Sequence, residues 1–128
     1  MSEKIKYSLN IQVAGGLSIP VIGEITTDAY GKIQVDVPAG ASNLEVNLQP
    51  NGTDLMEFLL IKASTYDPVL TYKVNSDSAT AIPLDSPHVF TGKGAVGILD
   101  SAPHKLFFSN GLTVDVTVDI LVGRDATP

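Results

Sequence analysis

The segment Gly92-Lys93-Gly94-Ala95-Val96-Gly97 spells G-x-G-x-x-G, the spacing by which a glycine-rich turn lets a pyrophosphate approach the N-terminus of a helix. That chemistry needs the motif to open a helix inside a parallel β-α-β unit. Here Ile98-Leu99-Asp100-Ser101-Ala102-Pro103 runs into a turn instead, so the glycines read as a hairpin turn and no nucleotide cofactor is expected. His88 and His104, the only two histidines, each follow an aspartate three or four residues behind, Asp85 and Asp100, which would suit a mononuclear His/carboxylate site. Both sit beside prolines in loop-like sequence with no third ligand, so no metal is expected. Asp100, Ser101 and His104 hold the residue types of a nucleophilic triad. Neighbours in one short loop rarely place a base against a nucleophile and leave an oxyanion hole, and there is no G-x-S-x-G elbow. Asp115 and Asp119 project from one strand and could be read as the acid and base of a glycosidase. Nothing apolar is expected beside them to raise one pKa, so they read as a solvated strand face. No catalytic residue is assigned, and the protein is not expected to be an enzyme.

Binding chemistry is also sparse. Sandwich modules that hold sugars present aromatic platforms; this chain has no tryptophan, Tyr7 and Tyr72 fall on faces expected to be buried, and Tyr30 and Tyr66 remain as candidates in turns. Asn51-Gly52-Thr53 is a formal glycosylation sequon, relevant only to a eukaryotic secretory route. Fourteen acidic residues against eight Lys and Arg give a net charge of −6. The cations are scattered and Arg124 is the single arginine, so the basic footprint of a nucleic-acid binder is lacking. The same charge, with no basic amphipathic helix, disfavours anionic membranes. There is no cysteine, hence no disulfide and no thiolate zinc site.

The elements that must carry these residues are extended. At 128 residues the length suits one domain, residues 1–128, and area scaling lets a chain of this size bury about two-thirds of its unfolded surface. Ile5, Tyr7, Leu9, Ile11 and Val13 alternate with polar residues until Gly15-Gly16. A second stretch, roughly 18–27, is followed by Ile33, Val35 and Val37, then by Leu44, Val46 and Leu48, with turns at Pro38-Ala39-Gly40 and Pro50-Asn51-Gly52. Asp54 to Ser64 carries both a capping-box spacing, Asp54 and Glu57, and a run, Phe58-Leu59-Leu60-Ile61, suited to a strand buried on both faces; the strand is preferred. Leu70, Tyr72 and Val74 alternate clearly. Residues 75–87 form the longest irregular stretch and the expected mobile loop. Short strands follow at about 88–91, 95–99 and 105–109, and the last runs through Val114, Val116, Val118, Ile120 and Val122 to end at Gly123. Eight to ten short strands with Gly-, Pro- and Asn-rich turns predict an all-β, antiparallel β-sandwich, jelly-roll or immunoglobulin-like, with short flexible termini.

The runs Leu70-Thr71-Tyr72-Lys73-Val74, Pro87-His88-Val89-Phe90, Leu106-Phe107-Phe108-Ser109-Asn110 and the closing Val118 to Pro128 resemble small all-β virion proteins of tailed bacteriophages. In size, cysteine-free acidity and strand count the chain is similar to their capsid cement or decoration proteins. The resemblance implies a non-enzymatic structural protein on the capsid exterior, made in the host cytoplasm, that bridges neighbouring major capsid subunits as a dimer or trimer, with no cofactor. The N-terminus shows no secretion signal, which agrees with cytoplasmic synthesis. Because chain ends can reach neighbouring subunits, Lys4, Lys6, Arg124 and Asp125 are the expected partner contacts; Arg124 is equally readable as a solvated partner of Asp125. The alternative is a sandwich module of a tail or fibre that recognises a glycan or host surface, using Tyr30 or Tyr66.

Overall fold

Alternating β-branched and polar residues favour pleated strands wherever glycine, proline or asparagine breaks the run. In the computed structural model, which describes residues 3–49, 54–100 and 102–125, the described residues form ten strands and one helical turn: β1 (Glu3–Gln12), β2 (Ser18–Thr27), β3 (Ala29–Val37), β4 (Leu44–Asn47), β5 (Leu55–Ala63), β6 (Asp67–Val74), β7 (Ile82–Leu84), β8 (His88–Thr91), α1 (Lys93–Val96), β9 (Lys105–Asn110) and β10 (Val116–Asp125). The sequon Asn51-Gly52-Thr53, Ser101 and the tail 126–128 lie outside the described residues.

Eight strands build the body. β3 pairs with β10, β4 with β9, β5 with β8 and β6 with β7, the nested rungs of one long antiparallel ribbon. Two further ladders, β10 with β5 and β9 with β6, roll that ribbon into the sheets β3-β10-β5-β8 and β4-β9-β6-β7. This is the order of a jelly roll and not of an immunoglobulin sandwich, so the two expected alternatives resolve to the first. The facing sides supply the core: Leu59, Ile61, Val118, Ile120 and Val122 from one sheet meet Leu70, Tyr72, Leu106 and Phe108 from the other, all buried. Val96, delivered by α1, is also fully buried in it. Buried side-chain amides fix the turns. Asn110 Nδ2 donates to the Val37 and Val114 carbonyls at 3.1 and 2.9 Å, and Gln49 Nε2 donates to the Asp54 and Pro103 carbonyls, both at 2.9 Å.

Three expectations are corrected. Residues 95–99 are not a strand: α1 is a single helical turn, closed by Gly97 N–H donating to the Lys93 carbonyl at 2.8 Å. The stretch 75–87 is not irregular throughout, since β7 pairs with β6 within it. Gly123 does not end the last strand. β10 continues to Asp125 past a bulge against β5 between Gly123 and Arg124. The ambiguous segment Asp54 to Ser64 is a strand, β5, flanked on both sides by partners.

The remaining strands, β1 and β2, form a separate two-stranded sheet. Ten rungs from Glu3↔Thr27 to Gln12↔Ser18 make a regular hairpin, about 33 Å long at roughly 3.3 Å per residue. The turn at its tip is closed by Gly16 N–H donating to the Val13 carbonyl at 2.9 Å. Gly15, third in that turn, has φ 78°, a conformation that glycine adopts without steric penalty.

Candidate functional site

The hairpin stands on the outer side of the sheet β3-β10-β5-β8, and the reason is a glycine. Gly123 exposes bare backbone in the middle of that sheet, and a Cβ there would lie 2.7 Å from Thr27 Cγ2 and 2.8 Å from Ile5 Cδ1. Ile5 and Thr27, both buried, therefore seat the base of the hairpin directly on β10, beside the buried ring of Phe58. This small outer cluster explains why Phe58 is buried although it points away from the main core. The Asp28 N–H donates to the Arg124 carbonyl at 3.0 Å and fixes the passage from β2 into β3. Two rungs beyond Ile5, Tyr7 lies across from Gly23, and a Cβ on Gly23 would overlap the phenol. The ring covers the glycine's backbone, a cross-strand arrangement that pins register.

Beyond Tyr7 the hairpin is an arm that overhangs the sheet across an open cleft. Cross-strand partners share a face, so Ile5, Tyr7, Leu9 and Ile11 on β1 lie on the same side as Ile25, Gly23, Val21 and Ile19 on β2. Along that side Leu9, Ile11, Val13, Leu17, Ile19 and Val21 are 39 to 63% exposed. The opposite side carries Lys4, Lys6, Glu24, Ser8, Asn10 and Gln12, with Ile22 and Pro20 among them. The apolar side looks into an open cleft of about 400 Å³, walled by Tyr7, Leu9 and Val21 on the arm and by Leu60, Val89 and Leu121 on the sheet. The arm's six aliphatic side chains on this side form a contiguous exposed patch.

The residues with possible chemistry take structural places. Gly92 has φ 98° and donates its N–H to the Glu57 carbonyl at 2.7 Å, so the glycine motif turns the chain into α1. Four residues of helix do not make a phosphate cradle. His88 Nδ1 shares a 2.7 Å hydrogen bond with the Tyr72 hydroxyl. Burial lowers the His88 pKa, with Asp85 opposing, and burial raises that of Tyr72 far enough to keep it protonated. His104 instead lies by Ala102, whose carbonyl is 3.3 Å from Nδ1. Asp100 Oδ1 accepts from the Ala102 N–H at 2.9 Å. Asp115 Oδ1 accepts from the Ala39 N–H at 2.9 Å, and Asp119 Oδ1 from Gln34 Nε2 at 2.8 Å. Among the described residues no three His, Asp or Glu side chains converge on a point that could hold a metal. Of the tyrosines, Tyr30 is 55% exposed on the outer side of β3, whereas Tyr66 packs against the core with its hydroxyl accepting from the Ala63 N–H at 3.2 Å.

Lys4, Lys6, Arg124 and Asp125 lie on two elements, β1 and the end of β10, in different environments. Lys4 and Lys6 lie on the polar side of the arm, Lys4 Nζ 3.8 Å from Glu24 Oε1 and Lys6 directly across from Glu24. The Arg124 side chain is only 14% exposed and its Nη1 lies 3.4 Å from Asp54 Oδ2, so its ion-pair partner is Asp54 and not Asp125. Arg124 Nε is buried with no hydrogen-bond partner among the described residues. Asp125 Oδ2 accepts from Lys93 Nζ at 2.8 Å, tying α1 to the end of β10 and raising the Lys93 pKa.

Sequence reasoning did not single out the arm, because alternation shows which side chains share a face and not what covers them. A usable signal was present: two apolar stretches of equal length flank Gly15-Gly16, and Gly23 falls opposite Tyr7 once that turn is closed. Comparison of the chain with protein-family models, with curated proteins and with solved structures gives no match.

Proposed function

We propose that this chain is a non-enzymatic assembly protein of a virion, a decoration protein that bridges neighbouring major capsid subunits on the outside of a phage shell, with the β-hairpin arm as its association element. The observation that carries the reading is the arm: a regular hairpin, seated by Ile5 and Thr27 on Gly123, that holds six partly exposed aliphatic side chains on one side. Such a surface is unfavourable in water unless another protein covers it. The rest of the molecule supports it. The polar clusters of the body close turns and strand ends, and three of its four edge strands, β4, β7 and β8, are short, which discourages indiscriminate pairing. The jelly roll recurs in capsid proteins and in lectins, so the fold by itself leaves both readings of the sequence in play. Many weak contacts repeated over a symmetric shell would add up through avidity.

The test is made on particles. Purified virions should carry the chain in copy numbers comparable to the major capsid protein, and shells lacking it should open at a lower temperature, with stability restored when the purified chain is added back. Particles devoid of the chain, or shells indifferent to it, would remove the decoration reading. Retention of one glycan on an array, lost on Tyr30→Ala, would replace it with the glycan-binding one.

A further inference from the structure

We infer that the arm's apolar side is covered by the same side of a second copy, two arms stacking face to face about a two-fold axis into a four-stranded miniature sandwich. The inference rests on reading the arm as an association element and names its occupant. Three observations point to a second copy. First, the surface is self-complementary in charge: from Ile5 to Ile11 and from Ile19 to Ile25 no charged side chain lies on this side, so two chains of net charge −6 can meet there without opposing like charges. The lysines and Glu24 stay on the outer side of both arms. Second, the area is sufficient. Six aliphatic side chains, each about half exposed, present on the order of 500 Å² per copy, and two copies covering each other reach the roughly 1,000 Å² that a specific interface needs. Third, the arm lacks support as it stands. A two-stranded hairpin is marginal in water, and beyond Tyr7 this one meets the body only across the open cleft beside Leu9 and Val21, leaving Ile11, Val13, Leu17 and Ile19 without a layer over them. A second hairpin about 10 Å away would supply the missing layer. A two-fold interface uses one patch twice, which a flat aliphatic side with cross-strand pairs Leu9↔Val21 and Ile11↔Ile19 satisfies.

Light scattering of the full chain over a hundredfold dilution should give twice the 13.5 kDa chain mass at the concentrated end. The double variant Ile11→Asp with Ile19→Asp should weaken the dimer by at least about 100-fold, with the thermal unfolding of the body unchanged. The chain has no cysteine, so single substitutions report which side is covered. At least one of Leu9→Cys, Ile11→Cys and Ile19→Cys should form a covalent dimer under mild oxidant, whereas Ser8→Cys and Asn10→Cys on the other side should not. A monomer at every concentration, or equal crosslinking from both sides, would overturn the inference. A dimer that does not attach to shells would leave the inference standing and remove the decoration reading; a monomer that attaches would do the reverse.

Discussion

In the jelly roll the inward side chains meet a second sheet, whereas in the arm the same alternation leaves aliphatic side chains exposed beyond Tyr7. Tyr72 and Phe108 are wholly buried, while Leu9 and Ile11, on an equally regular strand, stay half exposed. The two regions differ in support and not in local structure, since both are antiparallel ladders with clean registers. Strand formation is thus a local matter, while burial is conferred by a partner layer. The body contains its partner layer, whereas the arm meets its own sheet only across an open cleft.

The sharpest way to break this contrast is to remove bulk from each region in turn. Phe108→Ala should cost about 3–5 kcal/mol in urea unfolding, whereas Ile11→Ala, at a half-exposed site, should stay within about 0.5 kcal/mol for the monomer. A comparable loss at both sites would mean that the arm is part of the cooperative core. The joint between them comes next. Gly123→Val places atoms where Thr27 and Ile5 now sit and should destabilise by about 1–3 kcal/mol. Amide exchange in β1 and β2 should accelerate more than in β9; uniform acceleration would show that no separate joint exists.

Within the body, Tyr72→Phe removes the partner of His88 Nδ1 and should cost about 1 kcal/mol. The pH dependence has a definite sign. Burial holds His88 below its ordinary 6.5, so the unfolded chain binds the proton more readily than the folded one. The stabilisation is complete above pH 6.5 and declines as pH falls from there through the lowered folded value. Partial exposure keeps this below about 1 kcal/mol, and His88→Gln should flatten it in unfolding midpoints measured from pH 7 to 5. The smallest effect is expected on the polar side of the arm: Lys4→Ala, at an exposed lysine 3.8 Å from Glu24, and Lys6→Ala, across from Glu24, should each shift stability by less than about 0.5 kcal/mol. Any loss of shell attachment in these variants then reports a lost contact.

Much of the body was legible because inward and outward residues alternate throughout β3 and β9 and over most of β6 and β10. The burial of β5 on both faces was readable only in part from Phe58 to Ile61: the base of the arm covers Phe58 on the outer side, while Leu60 is half buried beside the cleft. What was not legible depends on distant backbone. Gly123 looks like a strand terminator in one dimension and is the seat of Ile5 and Thr27 in three. Ala95 to Leu99 reads as apolar and extended, yet Gly92 turns the chain so that Val96 enters the core from a helical turn. Arg124 and Asp125, neighbours in sequence, take different partners, Asp54 and Lys93, because successive side chains leave a strand on opposite sides.

The position of β10 between β3 and β5 also sets a timetable for synthesis. That sheet cannot zip up until β10 has left the ribosome, and at about 5–20 residues per second this comes several seconds after β1 and β2 have emerged. The arm pairs strands adjacent in sequence, and a hairpin closes in about 1–10 μs. On each nascent chain the sticky surface therefore precedes the body that will carry it, and neighbouring ribosomes on one message would hold such surfaces side by side before any chain is released.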